Sequence, residues 1–180
     1  MQPKLYMFYI GGDCANSIIE LHDVRFAIGQ THQDCYDQLR SQWWGTPESL
    51  HIDSYTHVDQ VDGYNLTLVR QKPAGQKQKL FFLNLGGYDN QSMEEIHKNI
   101  LMVAESQAAA IKRALSDLRH WRLPHKDSLL EVEKTLAVSQ MVEQMGFYLQ
   151  LTQSDQTHTL KHNLNLKYIK LFQTHRPGKI

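Results

Sequence analysis

Cysteine is scarce in this sequence, which holds two, Cys14 and Cys35, in 180 residues. Two thiols, together with an N-terminus that lacks the apolar segment of a secretory leader, predict a reduced, cytoplasmic protein. No apolar run approaches the roughly 20 residues that cross a bilayer, so no membrane partner is expected.

An excess of charge of either sign is also missing, since 19 Lys and Arg stand against 19 Asp and Glu. This balance argues against a general nucleic-acid-binding protein. The exception is the predicted C-terminal tail, residues 153–180, which is basic because the stretch from Gln156 to Ile180 holds five Lys and Arg and no Asp or Glu. A solvated tail is the simpler interpretation, with a weak nucleic-acid contact as the alternative.

The motifs of the common enzyme classes are absent as well. The sequence has no G-x-S-x-G elbow, no glycine-rich nucleotide signature and no zinc-finger spacing. This favours a non-catalytic small-ligand or protein-binding module, with a homo-oligomer or a protein as partner. The sequence indicates no particular cofactor.

What the chain does contain is one stretch that occurs twice. The segment from Lys4 to Gly12, followed by Glu20-Leu21-His22-Asp23, recurs 75 positions later as Lys79 to Gly87, followed by Glu95-Ile96-His97-Lys98. Short, aromatic-rich apolar runs that end at Gly-Gly predict buried strands. The shared offset without a gap predicts an internal duplication.

Hydrophobic spacing predicts the order β-β-α-β-β in each copy. The first copy has predicted strands at 5–10, 20–28, 50–58 and 64–69 and a helix within 31–45; the second has strands at 80–85, 96–104, 130–138 and 147–151 and a helix at 106–121. One continuous helix over 129–145 is the alternative to the strand at 130–138.

These elements predict an α+β fold of two tandem ββαββ repeats. Pseudo-two-fold symmetry would relate the repeats, with a mainly antiparallel sheet and one helix of each repeat on one face. The predicted domains are residues 1–70 and 79–152, joined by a polar linker at 71–78. Residues 165–172 of the tail are a candidate edge strand.

The candidate chemistry lies at the start of the second strand. Glu20 and His22 stand two positions apart, so they project from one face of an extended strand. Such a pair predicts either acid/base catalysis or ligation of a divalent metal, with Asp53 as the third candidate; His22 and Asp53 are the candidate metal ligands. A metal-assisted or acid/base enzyme is therefore the alternative function. A structural polar cluster that fixes the strand register is the competing interpretation.

Further candidate ligand-binding positions surround this pair: Gly11, Gly12, Asp23, His51, Glu95 and His97. His51 is expected on the opposite strand face from Asp53 unless the strand is twisted or bulged. Gly11 and Gly12 end a strand, where backbone amides bind an anion or where glycine permits close packing or a positive φ.

Several segments together resemble a known family. Ile10-Gly11-Gly12, Glu20-Leu21-His22-Asp23, Trp43-Trp44-Gly45, Leu50-His51-Ile52-Asp53 and the stretch from Val58 to Tyr64 are similar to the bacterial family called domain of unknown function 1543. Members of that family look like one or two copies of this unit, so the resemblance implies two tandem copies here. It implies no activity, because the family has none assigned.

The second copy departs from the family pattern. It has Lys98 for Asp23, Glu131 for His51 and Ser139 for Asp59. A site that uses those residues would therefore be complete in the first copy alone.

Overall fold

The computed structural model describes residues 2–88, 93, 95–117, 131–154 and 165–172. The chain divides into two compact units, Met1–Asp59 with Lys161–Ile180, and Gln60–Leu160. The strand predicted at 64–69 belongs by sequence to the first repeat, but it lies in the second unit. The units are thus not the predicted repeats, and the repeat domains stay a prediction.

The first unit is a four-stranded antiparallel sheet with a helix. Its strands are β1 (Lys4–Gly12), β2 (Leu21–Gly29), β3 (His51–His57) and β10 (Asn165–Lys170), and its helix is α1 (Tyr36–Gln42), which a 3-10 turn at Gln33–Cys35 precedes. The strand order is β10-β3-β1-β2, which places β1 between β2 and β3.

The second unit holds two three-stranded sheets. Its strands are β4 (Gln60–Val61), β5 (Tyr64–Val69), β6 (Lys79–Tyr88), β7 (Glu95–Ala104), β8 (Glu131–Ala137) and β9 (Tyr148–Gln153), and its helices are α2 (Gln107–Asp117) and α3 (Val138–Gln144). The sheet orders are β4-β5-β9 and β7-β6-β8. Every strand pair described in either unit is antiparallel, so the predicted α+β class with mainly antiparallel sheets is confirmed.

Alternation along β1 separates the core of the first unit from its other face. Tyr6, Phe8 and Ile10 are buried in a cluster that also includes Leu39 of α1. Since neighbouring strand residues point to opposite faces, Tyr9 and Gly11 lie on the face away from this cluster. That second face carries the candidate functional residues.

Helix α1 also binds the free edge of the strand that carries His22. The Gln38 side chain accepts a hydrogen bond from the Ile28 amide at 3.1 Å and donates one to the Ile28 carbonyl at 2.7 Å. Gln42 donates to the Phe26 carbonyl at 3.2 Å. Two glutamine side chains thus satisfy backbone groups of an edge strand that would otherwise be open to another chain.

The sheets around β1 and β6 share one pairing register. Lys4 opposes Gly29, and Lys79 opposes Ala104, a shift of 75 on both strands. The pairing of β1 with β3 shifts after Tyr9, and that of β6 with β8 shifts after Asn84, the residue 75 positions later.

Several uncertain elements are now settled. Residues 131–137 form strand β8 and α3 begins at Val138, so the alternative of one continuous helix over 129–145 is wrong. The helix predicted at 106–121 is confirmed as far as Asp117, and the rest of it lies outside the described residues. The candidate edge strand is confirmed as β10, whereas residues 155–164 and 173–180 of the predicted tail are outside the described part. Among the described helices, none is both long and apolar enough to cross a membrane.

The two thiols are expected to differ in reactivity. Burial raises the pKa of the Cys35 thiol to about 12, with a smaller contribution from the Asp34 carboxylate. Because the thiolate is the reacting species, Cys35 should stay unlabelled by iodoacetamide between pH 7 and 9, whereas the partly exposed Cys14 should react. Mass spectrometry should find one label per native chain and two per unfolded chain. Equal labelling of both thiols in the native protein would contradict this placement of Cys35.

Candidate functional site

Gly11 lies at the centre of the candidate site. On strand β1 it is directly opposite His22 of β2 and His51 of β3. Directly opposed residues share a sheet face, so the two imidazoles converge over the glycine. A Cβ at Gly11 would lie 2.7 Å from His22 Cδ2 and 3.0 Å from His51 Nε2. Glycine is therefore required here for the close approach of the two rings.

Two carboxylates complete the cluster. His51 Nε2 lies 3.3 Å from Glu20 Oε1 and 3.3 Å from Asp53 Oδ1. His22 Nε2 lies 3.2 Å from Asp53 Oδ2 and 3.8 Å from Glu20 Oε2. Glu20, His22 and His51 each offer one ligand atom within 4.8 Å of the others. The structure thus brings together the three predicted catalytic candidates and His51.

The orientation of His51 is fixed from its other nitrogen. Its Nδ1 lies 3.0 Å from the carbonyl oxygen of Ser49. A carbonyl oxygen accepts and never donates, so Nδ1 carries the hydrogen of this bond. The side chain is 2% exposed. His51 is thereby held with Nε2 directed at the two carboxylates.

Asp53 lies at an irregularity in β3. Tyr9 opposes Ser54 while Ile10 opposes Ile52, which leaves Asp53 as an extra residue at a bulge. The expectation that His51 and Asp53 lie on opposite faces is wrong, because the two residues are two positions apart on the strand and, like Glu20 and His22, project from the same face. Asp53 Oδ2 is buried and has no hydrogen-bond partner among the described residues. Such an orphaned buried oxygen requires an explanation.

Two tyrosines flank the histidines. The Tyr9 ring is stacked on the His22 ring, with 5.2 Å between centroids and 6° between planes. The Tyr168 ring of β10 lies 4.5 Å from the His51 ring. Burial raises the pKa of the Tyr9 phenol, and the Asp53 and Asp23 carboxylates raise it further. The Tyr9 hydroxyl is thus protonated at neutral pH and able to donate a hydrogen bond.

Other predicted positions have different surroundings. Asp23 forms an ion pair with Arg25 at 2.6 Å. A Cβ at Gly12 would lie 2.8 Å from Ser49 Oγ. This hydroxyl oxygen accepts a hydrogen bond from the Asp13 amide at 2.7 Å. Close packing therefore accounts for Gly12, and neither Gly11 nor Gly12 has a positive φ.

The second Glu-x-His pair lies in the second unit. His97 Nε2 is 3.5 Å from Glu95 Oε2, and His97 opposes Gly86 as His22 opposes Gly11. On the other side of Gly86 the opposed residue is Glu131, where the first unit has His51. The second position therefore has one histidine opposite the glycine where the first unit has two.

Sequence reasoning missed the contributions of Tyr9 and Tyr168 and treated His51 as peripheral. The signal for His51 was available, because pairing the Gly-Gly strand with both neighbours places His51 opposite Gly11. The contact of Tyr168 had no local signal, since β10 is separated from β3 by more than a hundred residues.

The segment that carries this cluster matches a known protein family. Residues 17–68 match the model of the family described as Domain of Unknown Function (DUF1543). All four clustered side chains, Glu20, His22, His51 and Asp53, lie within that match. No curated protein matches the chain.

A solved structure is similar over nearly the whole chain. It is the crystal structure of a protein Il1583 from Idiomarina loihiensis, with 27% sequence identity and a TM-score of 0.71. The similarity covers 95% of this chain and 99% of that one. Its description gives no activity, so this similarity supports the fold and provides no evidence on function.

Substitution Gly11→Ala should separate the two imidazoles, because the new methyl group occupies the space into which both rings project. We expect the ring nitrogen resonances of His22 and His51 to shift in NMR spectra, and the free energy of unfolding to fall by about 1–3 kcal/mol from overpacking. His32 and His57, which lie elsewhere in the first unit, serve as internal controls. Unchanged His22 and His51 resonances would contradict the geometry.

Proposed function

We propose that the chain, whose residues 17–68 match the DUF1543 family model, binds one divalent transition-metal ion of the zinc class between Glu20, His22, His51 and Asp53. The observation that carries the proposal is the orientation of His51. Its Nδ1 is committed to the Ser49 carbonyl, and its Nε2 lies 3.3 Å from an oxygen of each carboxylate.

This arrangement calls for a cation. With the hydrogen on Nδ1, a neutral His51 ring carries a lone pair on Nε2. A lone pair that faces two carboxylate oxygens is repelled by both. A positive charge between them, either a proton or a metal ion, reverses the interaction.

A metal ion accounts for more of the site than a proton does. A proton on His51 Nε2 gives no partner to the buried Asp53 Oδ2, which accepts no hydrogen bond from the described residues although His22 Nε2 is 3.2 Å away. One ion bound to both imidazoles and both carboxylates neutralises all of these groups together. A second residue that holds the far nitrogen of a ligand histidine, as the Ser49 carbonyl does, is the usual companion of a metal site.

The separations fit a small tetrahedral ion. Zinc–nitrogen and zinc–oxygen bonds of about 2.0–2.1 Å place tetrahedral ligand atoms about 3.3 Å apart. The nitrogen–oxygen separations in the cluster are 3.2, 3.3, 3.3 and 3.8 Å. Two imidazoles favour zinc and neighbouring transition metals over calcium or magnesium, which prefer oxygen ligands alone.

Metal binding is compatible with both functions that the sequence predicts. A bound ion makes the chain a small-ligand-binding module, and a metal-bound water would make it a metal-assisted enzyme. Acid/base catalysis by Glu20, His22 and Asp53 without a metal is the weaker alternative, because it gives no role to His51, whose Nε2 faces both carboxylates. The cytoplasmic location and the homo-oligomer or protein partner stay predictions.

We also propose that the chain arose by internal duplication into two ββαββ repeats. Support comes from the equal shift of 75 in the β1–β2 and β6–β7 pairings and from the bulge at the equivalent point of each sheet. Since the second copy has Glu131 opposite Gly86, we expect one high-affinity metal site per chain.

Isothermal titration of the metal-free protein with zinc should find one equivalent bound. Loss of an imidazole ligand in His22→Ala should weaken binding by at least about 100-fold. His97→Ala is the matched control, because it removes the same motif position in the second copy and should change the affinity by no more than about twofold.

Competition with protons provides a second readout of the same titration. Metal binding to histidine requires the neutral ring, so the apparent affinity should fall as the pH is lowered from 7 to 5. Equal losses in His22→Ala and His97→Ala, or no saturable zinc binding by the wild-type protein, would contradict the proposal.

A further inference from the structure

The two carboxylates of the proposed metal site are held very differently. Asp53 lies at the bulge of β3, with one oxygen buried and both oxygens within 3.2–3.3 Å of an imidazole nitrogen. Glu20 precedes the first residue of β2 and is 42% exposed. Its separation from His22 Nε2 is longer, at 3.8 Å against 3.2 Å for Asp53, whereas both carboxylates lie 3.3 Å from His51 Nε2. Glu20 is therefore the peripheral member.

The chain around Glu20 is also weakly packed. Ile18 is fully exposed and Ile19 is 73% exposed, so the residues that lead into Glu20 bury little apolar surface. The hydrogen bonds of this loop lie farther back, where the Ser17 amide donates to the Cys14 carbonyl and the Asp13 amide donates to Ser49. Movement of Glu20 away from the ion would break few contacts.

We propose that Glu20 is the exchangeable ligand of the metal ion and that a carboxylate with an apolar substituent binds in its place. This inference rests on the proposed metal site. The His22, His51 and Asp53 side chains form the permanent ligand set, and Glu20 closes the fourth position when the carboxylate ligand is absent.

Charge determines the class of the incoming group. Two neutral imidazoles and two carboxylates balance a divalent ion. When Glu20 leaves, the ion and its three remaining ligands carry one net positive charge. A monoanionic oxygen donor restores the balance, and a carboxylate reproduces the donor atom that Glu20 withdraws.

The flanking rings determine the apolar part of the ligand. Tyr9 and Tyr168 lie against His22 and His51 and are 40% and 59% exposed. Each tyrosine ring thus contacts one of the two proposed ligand histidines and keeps part of its surface exposed. A carboxylate bound to the ion would thus have aromatic surface next to its substituent, which favours benzoate over acetate.

Cobalt substitution provides the test, since tetrahedral Co²⁺ reports its ligands in the visible spectrum. Benzoate should change the spectrum of the cobalt-loaded wild-type protein saturably, without releasing the metal, and at least about tenfold more tightly than acetate. Glu20→Gln should still bind Co²⁺ and should bind benzoate more tightly than the wild type does, because the competing carboxylate is gone. The Co²⁺ affinity of Asp53→Asn should be at least about tenfold lower than that of Glu20→Gln.

The outcomes separate the two proposals. Cobalt binding without any benzoate response, or equal loss of cobalt in both carboxylate variants, would overturn the exchange of Glu20 and leave the metal site standing. No cobalt binding by the wild-type protein would overturn both proposals. Since Asp53 lies in the sheet, the benzoate titrations of the wild type and of Glu20→Gln decide the matter if Asp53→Asn fails to fold.

Discussion

The candidate site depends on one steric constraint, the absence of a side chain at Gly11. The strand that carries it is paired on both sides, which fixes His22 and His51 directly opposite the same residue. A methyl group there would lie within 3.0 Å of both imidazoles. Backbone hydrogen bonding thus determines which histidines meet, and the glycine lets them approach closely enough to share the proposed ion.

One face of the same strand packs in the hydrophobic core, and the other face lies in the candidate site. Tyr6, Phe8 and Ile10 bury one face of β1 against α1, and the alternating residues Tyr9 and Gly11 line the other. A shift of one residue in register would bury the site face and expose the core, so the core itself enforces the position of Gly11. The Gln38 side chain adds to this by holding the outer edge of the strand that carries His22.

Local patterns were sufficient to predict most strands and the α+β class. Apolar runs that end at Gly-Gly indicated β1 and β6, and the predicted duplication favoured a strand over a helix for residues 131–137, where the structure has β8. The pairing of β5 with β9 and of β3 with β10 could not be predicted from local patterns, because these strands lie far apart in the sequence. Glu20 and His22 were found because strand periodicity places them on one face. The role of His51 was underestimated, although the same alternation places His51 and Asp53, two positions apart, on one face of their strand.

The proposed metal ion lies between the two histidines over Gly11. The most direct measurement is anomalous X-ray diffraction at the zinc edge from crystals of the zinc-loaded protein. We expect a strong peak about 2.0–2.1 Å from His22 Nε2 and from His51 Nε2, with Asp53 also within bonding distance. A peak elsewhere in the chain, or none at this position in protein that retains stoichiometric zinc, would contradict it.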